Sequence, residues 1–345
     1  MLKRVSMLAT AGAIVAAVSV AVAQAAGGPP PPTSANGNPV QLVASGLKTP
    51  TTFAFGGGVV FEGDGGNSSG SAPPNGGIFV LKGGAATALA GAPQFVAGLA
   101  WHANALYISG GSVTASGAKF QLLKWSGWNG TTFTSHKVLY TAPKGFQGFN
   151  GIAFGPDGRL YVGVDLGLLN GNDHGSASKS PYLYDILSFK ANGHGLKVYA
   201  SGIRQPWQFA FAPGSSTPLV SNLGQDSGAK NPPDFVLNVK PGDNYGFPRC
   251  NWTSSKACKG FAKPFKMFKP HTDIMGLAIV SKTLYMSSFL GSTGKAGEVF
   301  QMPVKGGAYK PLVSGFVAPV VGLGVSHGWL YIGELTGQVF RVKVQ

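Results

Sequence analysis

The sequence predicts an all-β fold, a six-bladed β-propeller whose ring is closed by an N-terminal strand joining the last blade. Three observations predict it. The 345 residues include 53 glycines and 24 prolines with only 11% charged residues, too broken a chain for a helical bundle and too apolar for disorder. A single pattern then recurs six times: a short apolar strand, a turn, a second strand usually spelled Leu-Tyr-apolar, and a Gly-rich stretch. Finally, the last copy ends one strand short, and the segment from Val40 to Gly46 repeats the form of the outer strand Lys197-Val198-Tyr199-Ala200. A β-sandwich would not explain the constant strand order.

Taken in order, the first two strands of the copies are Phe53-Ala54-Phe55 with Val59-Val60-Phe61, Leu99-Ala100-Trp101 with Leu106-Tyr107-Ile108, and Ile152-Ala153-Phe154 with Leu160-Tyr161-Val162. They continue as Phe209-Ala210-Phe211 with Leu219-Val220, Leu277-Ala278-Ile279 with Leu284-Tyr285-Met286, and Leu323-Gly324-Val325 with Leu330-Tyr331-Ile332. The central residues of the first strands lie 46 to 68 residues apart, the spacing of four-stranded blades with variable loops. Third strands read at 77–81, 120–123, 185–189, 298–302 and 338–342, and fourth strands at 137–140, 197–200 and 311–314. A blade cannot bury its apolar face alone, so stacking around an axis supplies the core and removes open sheet edges.

The N-terminus carries Lys3 and Arg4 ahead of an apolar run from Val5 to Val22 and a small-residue exit. This predicts a signal peptide over 1–26, a Pro/Gly-rich linker over 27–37 and one propeller domain over 38–345. No later segment has the roughly 20 apolar residues of a membrane span. The mature protein is therefore expected to be secreted or periplasmic, with no integral membrane span after signal removal. In that oxidising setting Cys250 and Cys258 are expected to form a disulfide. The net charge of +15 reflects a scarcity of acids, and without a clustered Lys/Arg stripe no nucleic-acid partner is expected.

Loops leading into the innermost strands gather at one mouth of a propeller channel. The polar ones here are 144–150, 203–207 and 271–275. In this region the chain resembles the soluble pyrroloquinoline quinone (PQQ)-dependent glucose/sorbosone dehydrogenases. The likeness rests on Gly151-Ile152-Ala153-Phe154-Gly155-Pro156-Asp157-Gly158-Arg159-Leu160-Tyr161, on Gly202-Ile203-Arg204-Gln205-Pro206-Trp207, and on Leu223-Gly224-Gln225-Asp226 followed by Lys240-Pro241-Gly242-Asp243-Asn244-Tyr245-Gly246-Phe247-Pro248.

The resemblance implies a secreted quinoprotein-like oxidoreductase that oxidises a sugar or related alcohol or aldehyde with PQQ and Ca²⁺ and passes electrons to an external acceptor. Arg204 matches the arginine that helps hold the anionic quinone, and a guanidinium fork suits carboxylates and carbonyls. Gln205, Gln147, Asn244, Tyr245 and Lys295 complete the expected cofactor contacts, and Gly224, Asp165 and Asp173 are the expected calcium ligands.

The chain departs from the family at its base. The catalytic histidine would stand eight residues before Gly155, where the sequence has Gln147, and an amide is no general base near neutral pH. His271, His174 and Asp165 are the remaining candidates. The rival reading is a non-catalytic carbohydrate- or ligand-binding propeller that has lost the base. A metal-dependent lactonase would want more carboxylates or histidines at the mouth. Trp125, Trp128, Trp207 and Trp252 serve either sugar stacking or packing between blades.

Overall fold

The computed structural model describes residues 30–67, 75–114, 117–166, 180–225, 232–291, 294 and 296–345. The expected signal peptide and the first residues of the expected linker lie outside them. Among the described residues there is no helix, and therefore none long and apolar enough to cross a membrane. Strands β1 (Thr33–Ser34) and β2 (Gln41–Ala44) come first. The first blade follows as β3 (Pro50–Gly56), β4 (Val59–Asp64), β5 (Gly77–Lys82) and β6 (Ala85–Ala88). The second is β7 (Phe95–His102), β8 (Ala105–Thr114), β9 (Gly117–Trp128) and β10 (Phe133–Thr141). The third is β11 (Phe149–Phe154), β12 (Arg159–Val164), β13 (Ile186–Lys190) and β14 (Lys197–Ala200). The fourth is β15 (Pro206–Phe211), β16 (Pro218–Asn222), β17 (Asp234–Asn238) and β18 (Lys266–Phe268). The fifth is β19 (Ile274–Val280), β20 (Thr283–Ser288), β21 (Glu298–Pro303) and β22 (Lys310–Ser314), and the sixth is β23 (Val320–Ser326), β24 (Trp329–Glu334) and β25 (Gln338–Lys343).

Each blade is an antiparallel sheet in sequence order, and the six first strands contact one another around the axis, with β23 meeting β3. The ring closes as expected: Gln41 and Leu42 of β2 pair with Arg341 and Phe340 of β25. One strand lies inside the stretch expected to be linker. Thr33 and Ser34 pair with Ser314 and Val313, making β1 the fifth strand of the fifth blade. Cys250 and Cys258 form the expected disulfide.

The Leu-Tyr signature acquires a physical meaning in the packing between blades. The tyrosine projects onto the aromatic residue that ends the next blade's innermost strand: Tyr107 on Phe154 at 4.7 Å, Tyr161 on Phe211 at 5.4 Å and Tyr331 on Phe55 at 5.2 Å between ring centroids. In the first blade Phe61 takes the tyrosine's place and stacks on Trp101 at 5.6 Å. Trp125 and Trp128 belong to the same aromatic cluster, so they serve packing.

Two residues later the chain needs a small side chain. Ser109, Ser221 and Ser287 donate through Oγ to the carbonyls of Asn150, Met275 and Val321 in the adjoining innermost strands. At the equivalent places in the third and sixth blades stand Gly163 and Gly333, whose missing Cβ atoms would lie 2.1 Å from the Pro206 carbonyl oxygen and 2.4 Å from that of Pro50. Backbone approaches backbone there, which only glycine permits.

Glu62 breaks the apolar rule of this core. It is 0% exposed, and both carboxyl oxygens lack a hydrogen-bond partner among the described residues. It lies opposite Phe53 on β3 and Phe79 on β5, both of which pack in the cluster holding Tyr331 and Val339 of the last blade. Burial, with a smaller contribution from Asp64, holds its pKa well above the usual 4.5. The unfolded chain releases this proton near 4.5 and the folded chain keeps it. The neutral acid's stabilisation is therefore complete below that pH and falls as pH rises, by up to about 1.4 kcal/mol per unit. Glu62→Met is expected to gain about 1–3 kcal/mol at pH 7 and to flatten the loss between pH 5 and 8 in urea unfolding. An unchanged slope would assign the loss to other groups.

Candidate functional site

The mouth is organised by polar residues that end the second strands. Asp64 accepts the backbone N–H groups of Lys48 and Thr49 at 2.7 and 3.1 Å, Asn222 that of Gln205 at 2.8 Å, and Glu334 those of Val317 and Ala318 at 2.8 and 3.0 Å. These side chains take up donors of the loops that enter the innermost strands, as buried backbone groups require. Their signal in the sequence is a carboxylate or amide one residue after the small Gly or Ser of the second strand.

In the third, fourth and fifth blades the mouth carries a continuous polar arc. Asp165, just beyond β12, accepts at Oδ1 from Gln205 Nε2 at 3.0 Å. Arg204, only 2% exposed, donates through Nη1 to the Leu223 carbonyl at 3.2 Å and lies 3.4 Å from Gln205 Oε1. After Leu223, the Gly224 N–H donates to Asp234 Oδ1 at 2.6 Å, and the other oxygen of Asp234 takes the Asp273 N–H at 2.8 Å. The chain of contacts therefore runs from Asp165 through Gln205, Arg204 and Gly224 to the loop that holds Asp273 and, two residues earlier, His271. Asp234 joins the fourth blade to the fifth and has no counterpart among the residues singled out from the sequence.

The structure thus brings Asp165, Gln205, Arg204 and Gly224 together, with the half-buried His271 on the adjoining loop. Gln147 is on the loop entering β11, and its Nε2 turns back to the Gly145 carbonyl at 3.0 Å. The next residue, Gly148, accepts the Asp165 N–H at 2.8 Å, so the Asp165 backbone is bonded directly beside the position that lacks the histidine. Asn244 is exposed and its Oδ1 caps a local turn through the Gly246 N–H at 2.8 Å. Tyr245 is buried in the packing of the third and fourth blades, donates to the Asn238 carbonyl at 3.1 Å, and has its pKa raised by burial and by Asp243. Asp173, His174 and Lys295 lie outside the described residues.

Behind the arc is a narrow apolar cleft lined by Ile203, Arg204, Gly224, Phe235, Tyr245 and Trp252, with about 20 Å³ of free space. That is room for about one water, so a larger ligand has to lie over the mouth. Asp185 is a titrating group the sequence did not announce. Its carbonyl takes the Val164 N–H one residue before Asp165, and burial pushes its carboxyl up to about 7. Among the described residues no three His, Cys, Asp or Glu side chains gather into a metal site.

No family model and no curated protein matches the chain. Solved structures do. The chain is similar to a provisionally assigned oxidoreductase (glucose dehydrogenase) from Thermus thermophilus, at 21% identity over 89% of this chain and 100% of that one, TM-score 0.69. It is similar to the PQQ-bound aldose sugar dehydrogenase of Streptomyces coelicolor, at 19% identity over 91% and 100%, TM-score 0.65. A gluconolactonase from Xanthomonas campestris shares 13% identity over 92% and 95%, TM-score 0.57. At these identities the likeness is one of fold. The six-bladed propellers that share it include sugar dehydrogenases of the kind that the motifs of this chain resemble.

Proposed function

We infer that the protein is an extracytoplasmic oxidoreductase that acts on a sugar or related alcohol or aldehyde with PQQ held over the mouth formed by the third to fifth blades. The observation that carries this reading is the arc in which the guanidinium of Arg204 and the amide of Gln205 are set side by side and tied to Asp165. A planar quinone bearing carboxylates needs a fixed fork of donors and neutral amides beside it, and Arg204, Gln205 and Gln147 are of that chemistry.

PQQ supplies, when bound, an acceptor for the hydride leaving the sugar carbon. Arg204 binds and orients the anion. Gln205 holds Asp165 by one oxygen, and Asp165 takes the proton of the sugar hydroxyl on its carboxylate. The proton-accepting role passes to Asp165 because Gln147 has no basic site and Asp165 is bonded to the adjoining residue, Gly148. His271 stands at the other end of the arc. The expected calcium has no cluster of acidic ligands among the described residues, so no step runs through it. The disulfide supports the extracytoplasmic assignment.

One observation favours a second reading. The Gln147 amide is engaged with its own loop, as suits a propeller that binds its ligand without turnover. Dye-linked oxidation of an aldose panel by the purified protein, with and without PQQ, separates the two. Turnover that depends on PQQ supports the oxidoreductase. Sugar binding with no turnover, PQQ being bound, supports the binding module.

A further inference from the structure

The acids of this chain are scarce and also unevenly placed. Between Asp243 and Asp273 the 29 intervening residues hold no Asp or Glu and six Lys or Arg, namely Arg249, Lys256, Lys259, Lys263, Lys266 and Lys269. They stand three to seven residues apart and make no run in the sequence. The fold gathers them. Arg249 precedes Cys250 and Lys259 follows Cys258, and the disulfide holds the two cysteine Cα atoms 4.9 Å apart, so these two cations are near neighbours. The loop between them closes in successive turns: the Cys258 N–H donates to the Ser255 carbonyl at 3.2 Å, that of Lys259 to Lys256 at 3.4 Å and that of Phe261 to Cys258 at 3.2 Å. The Arg249 guanidinium lies over the Phe261 ring at 5.4 Å, beside the turn that carries Lys259. Lys263 follows Phe261 by two residues.

Lys266 is turned away, its ammonium donating to the Gly307 carbonyl at 2.9 Å. Arg249, Lys256, Lys259 and Lys263 are exposed, and none of their cationic groups has a hydrogen bond or ion pair among the described residues. A fixed group of like charges with no carboxylate among them raises the local potential and favours an anionic partner. The loop is also fastened to the mouth. The Phe247 N–H donates to the Gly202 carbonyl at 2.9 Å, and Asn251 Nδ2 donates to Gln225 Oε1 at 3.0 Å. Gly202 and Gln225 stand close in sequence to Arg204 and Gly224 of the polar arc.

We propose that the disulfide-closed loop of the fourth blade, through Arg249, Lys256, Lys259 and Lys263, is a docking surface for an acidic polysaccharide that carries carboxylates along its length. Cations spread over several residues match the repeated charges of such a polymer, and each can take a separate carboxylate. A protein partner would want an apolar centre to its interface, and no large hydrophobic side chain of residues 249–263 is exposed. The disulfide suits an oxidising compartment outside the cytoplasm, which favours a polysaccharide over a nucleic acid. The staple fixes the loop before binding, so little chain entropy is lost when the polymer docks. The proposal rests on the extracytoplasmic assignment above and not on the oxidation chemistry, and it sets the bound polymer beside the mouth.

Alginate, a polymer of uronic acids, tests the proposal by titration calorimetry on the full-length mature protein. PQQ is left out, so the outcome is separate from that of the oxidoreductase. Saturable binding is expected at low salt, weakening roughly tenfold or more between about 50 and 200 mM salt, with no binding of the neutral polymer dextran. Arg249→Ser, Lys256→Ser, Lys259→Ser and Lys263→Ser made together are expected to weaken alginate roughly tenfold or more. Lys82→Ser, Lys137→Ser, Lys197→Ser and Lys282→Ser made together remove the same charge from four other exposed sites, and are expected to change the affinity by less than about twofold. Circular dichroism checks that both variants fold. Absence of saturable binding to the wild type would overturn the proposal. Equal losses in the two fourfold variants would also overturn it and assign binding to net charge alone. Duplex DNA bound as tightly as alginate, or more tightly, would overturn it in favour of a nucleic acid.

Discussion

Phe61→Ala is expected to destabilise the protein by about 3–5 kcal/mol, read as a fall in the urea midpoint. The ring is fully buried and is the shared member of an aromatic group: Trp101 stacks on it at 5.6 Å, Trp128 meets it edge-on at 5.0 Å and Phe133 lies at 5.6 Å. Truncation leaves a cavity between the first and second blades that these rigid rings cannot fill, because each is held by other neighbours. The size of the effect is that of removing a large, fully buried ring from a close-packed interface between two blades. Phe61→Leu, which keeps most of the volume, is expected to cost less than half as much. Equal midpoints for wild type and Phe61→Ala would show that the interface between the first two blades contributes little.

Asp165→Asn is expected to reduce kcat for PQQ-dependent oxidation by about 10²–10⁴ with little change in PQQ affinity. The substitution is isosteric and keeps an oxygen that accepts from Gln205 Nε2, so the arc stays assembled while the proton acceptor is lost. Asp165→Glu, which restores a carboxylate on a longer arm, is expected to recover part of the rate. An unchanged kcat in Asp165→Asn would remove Asp165 as the base and direct attention to His271, without bearing on whether the quinone binds. A fall in PQQ affinity as large as the fall in rate would mark Asp165 as a positioning residue for Arg204 and Gln205.

The blades were legible in the sequence because the packing that makes them is local in register. Tyr107, Tyr161 and Tyr331 recur at one position since each must reach the aromatic end of the next innermost strand. The closing strand was legible because an outer strand has the same alternation wherever it lies in the chain. The fourth blade was harder: its outer strands, Asp234–Asn238 and Lys266–Phe268, are separated by the disulfide-bearing insertion, and β18 is only three residues long. The edge strand at Thr33–Ser34 has no apolar pattern and exists because Ser314 and Val313 offer it a partner.

The site was legible in part. A motif carries residue types and their order, which sufficed to bring Arg204, Gln205 and Gly224 to one loop cluster beside Asp165. It does not carry orientation. Asn244 therefore appears at a turn facing solvent and Tyr245 in the packing between blades. Asp234 and Glu62 went unnoticed because their character arises from three-dimensional surroundings. One accepts from two loops, and the other is a carboxyl paired with phenylalanines on both neighbouring strands.

The most direct test of the central claim is an equilibrium titration of the mature protein with PQQ, with and without Ca²⁺, following the quinone absorbance in wild type and Arg204→Gln. The account predicts saturable binding of one PQQ per chain and a weakening of roughly ten- to a hundredfold in Arg204→Gln, the loss of a charge-assisted fork. Absence of saturable binding to the wild type in both conditions would contradict it, as would equal affinity in the two proteins.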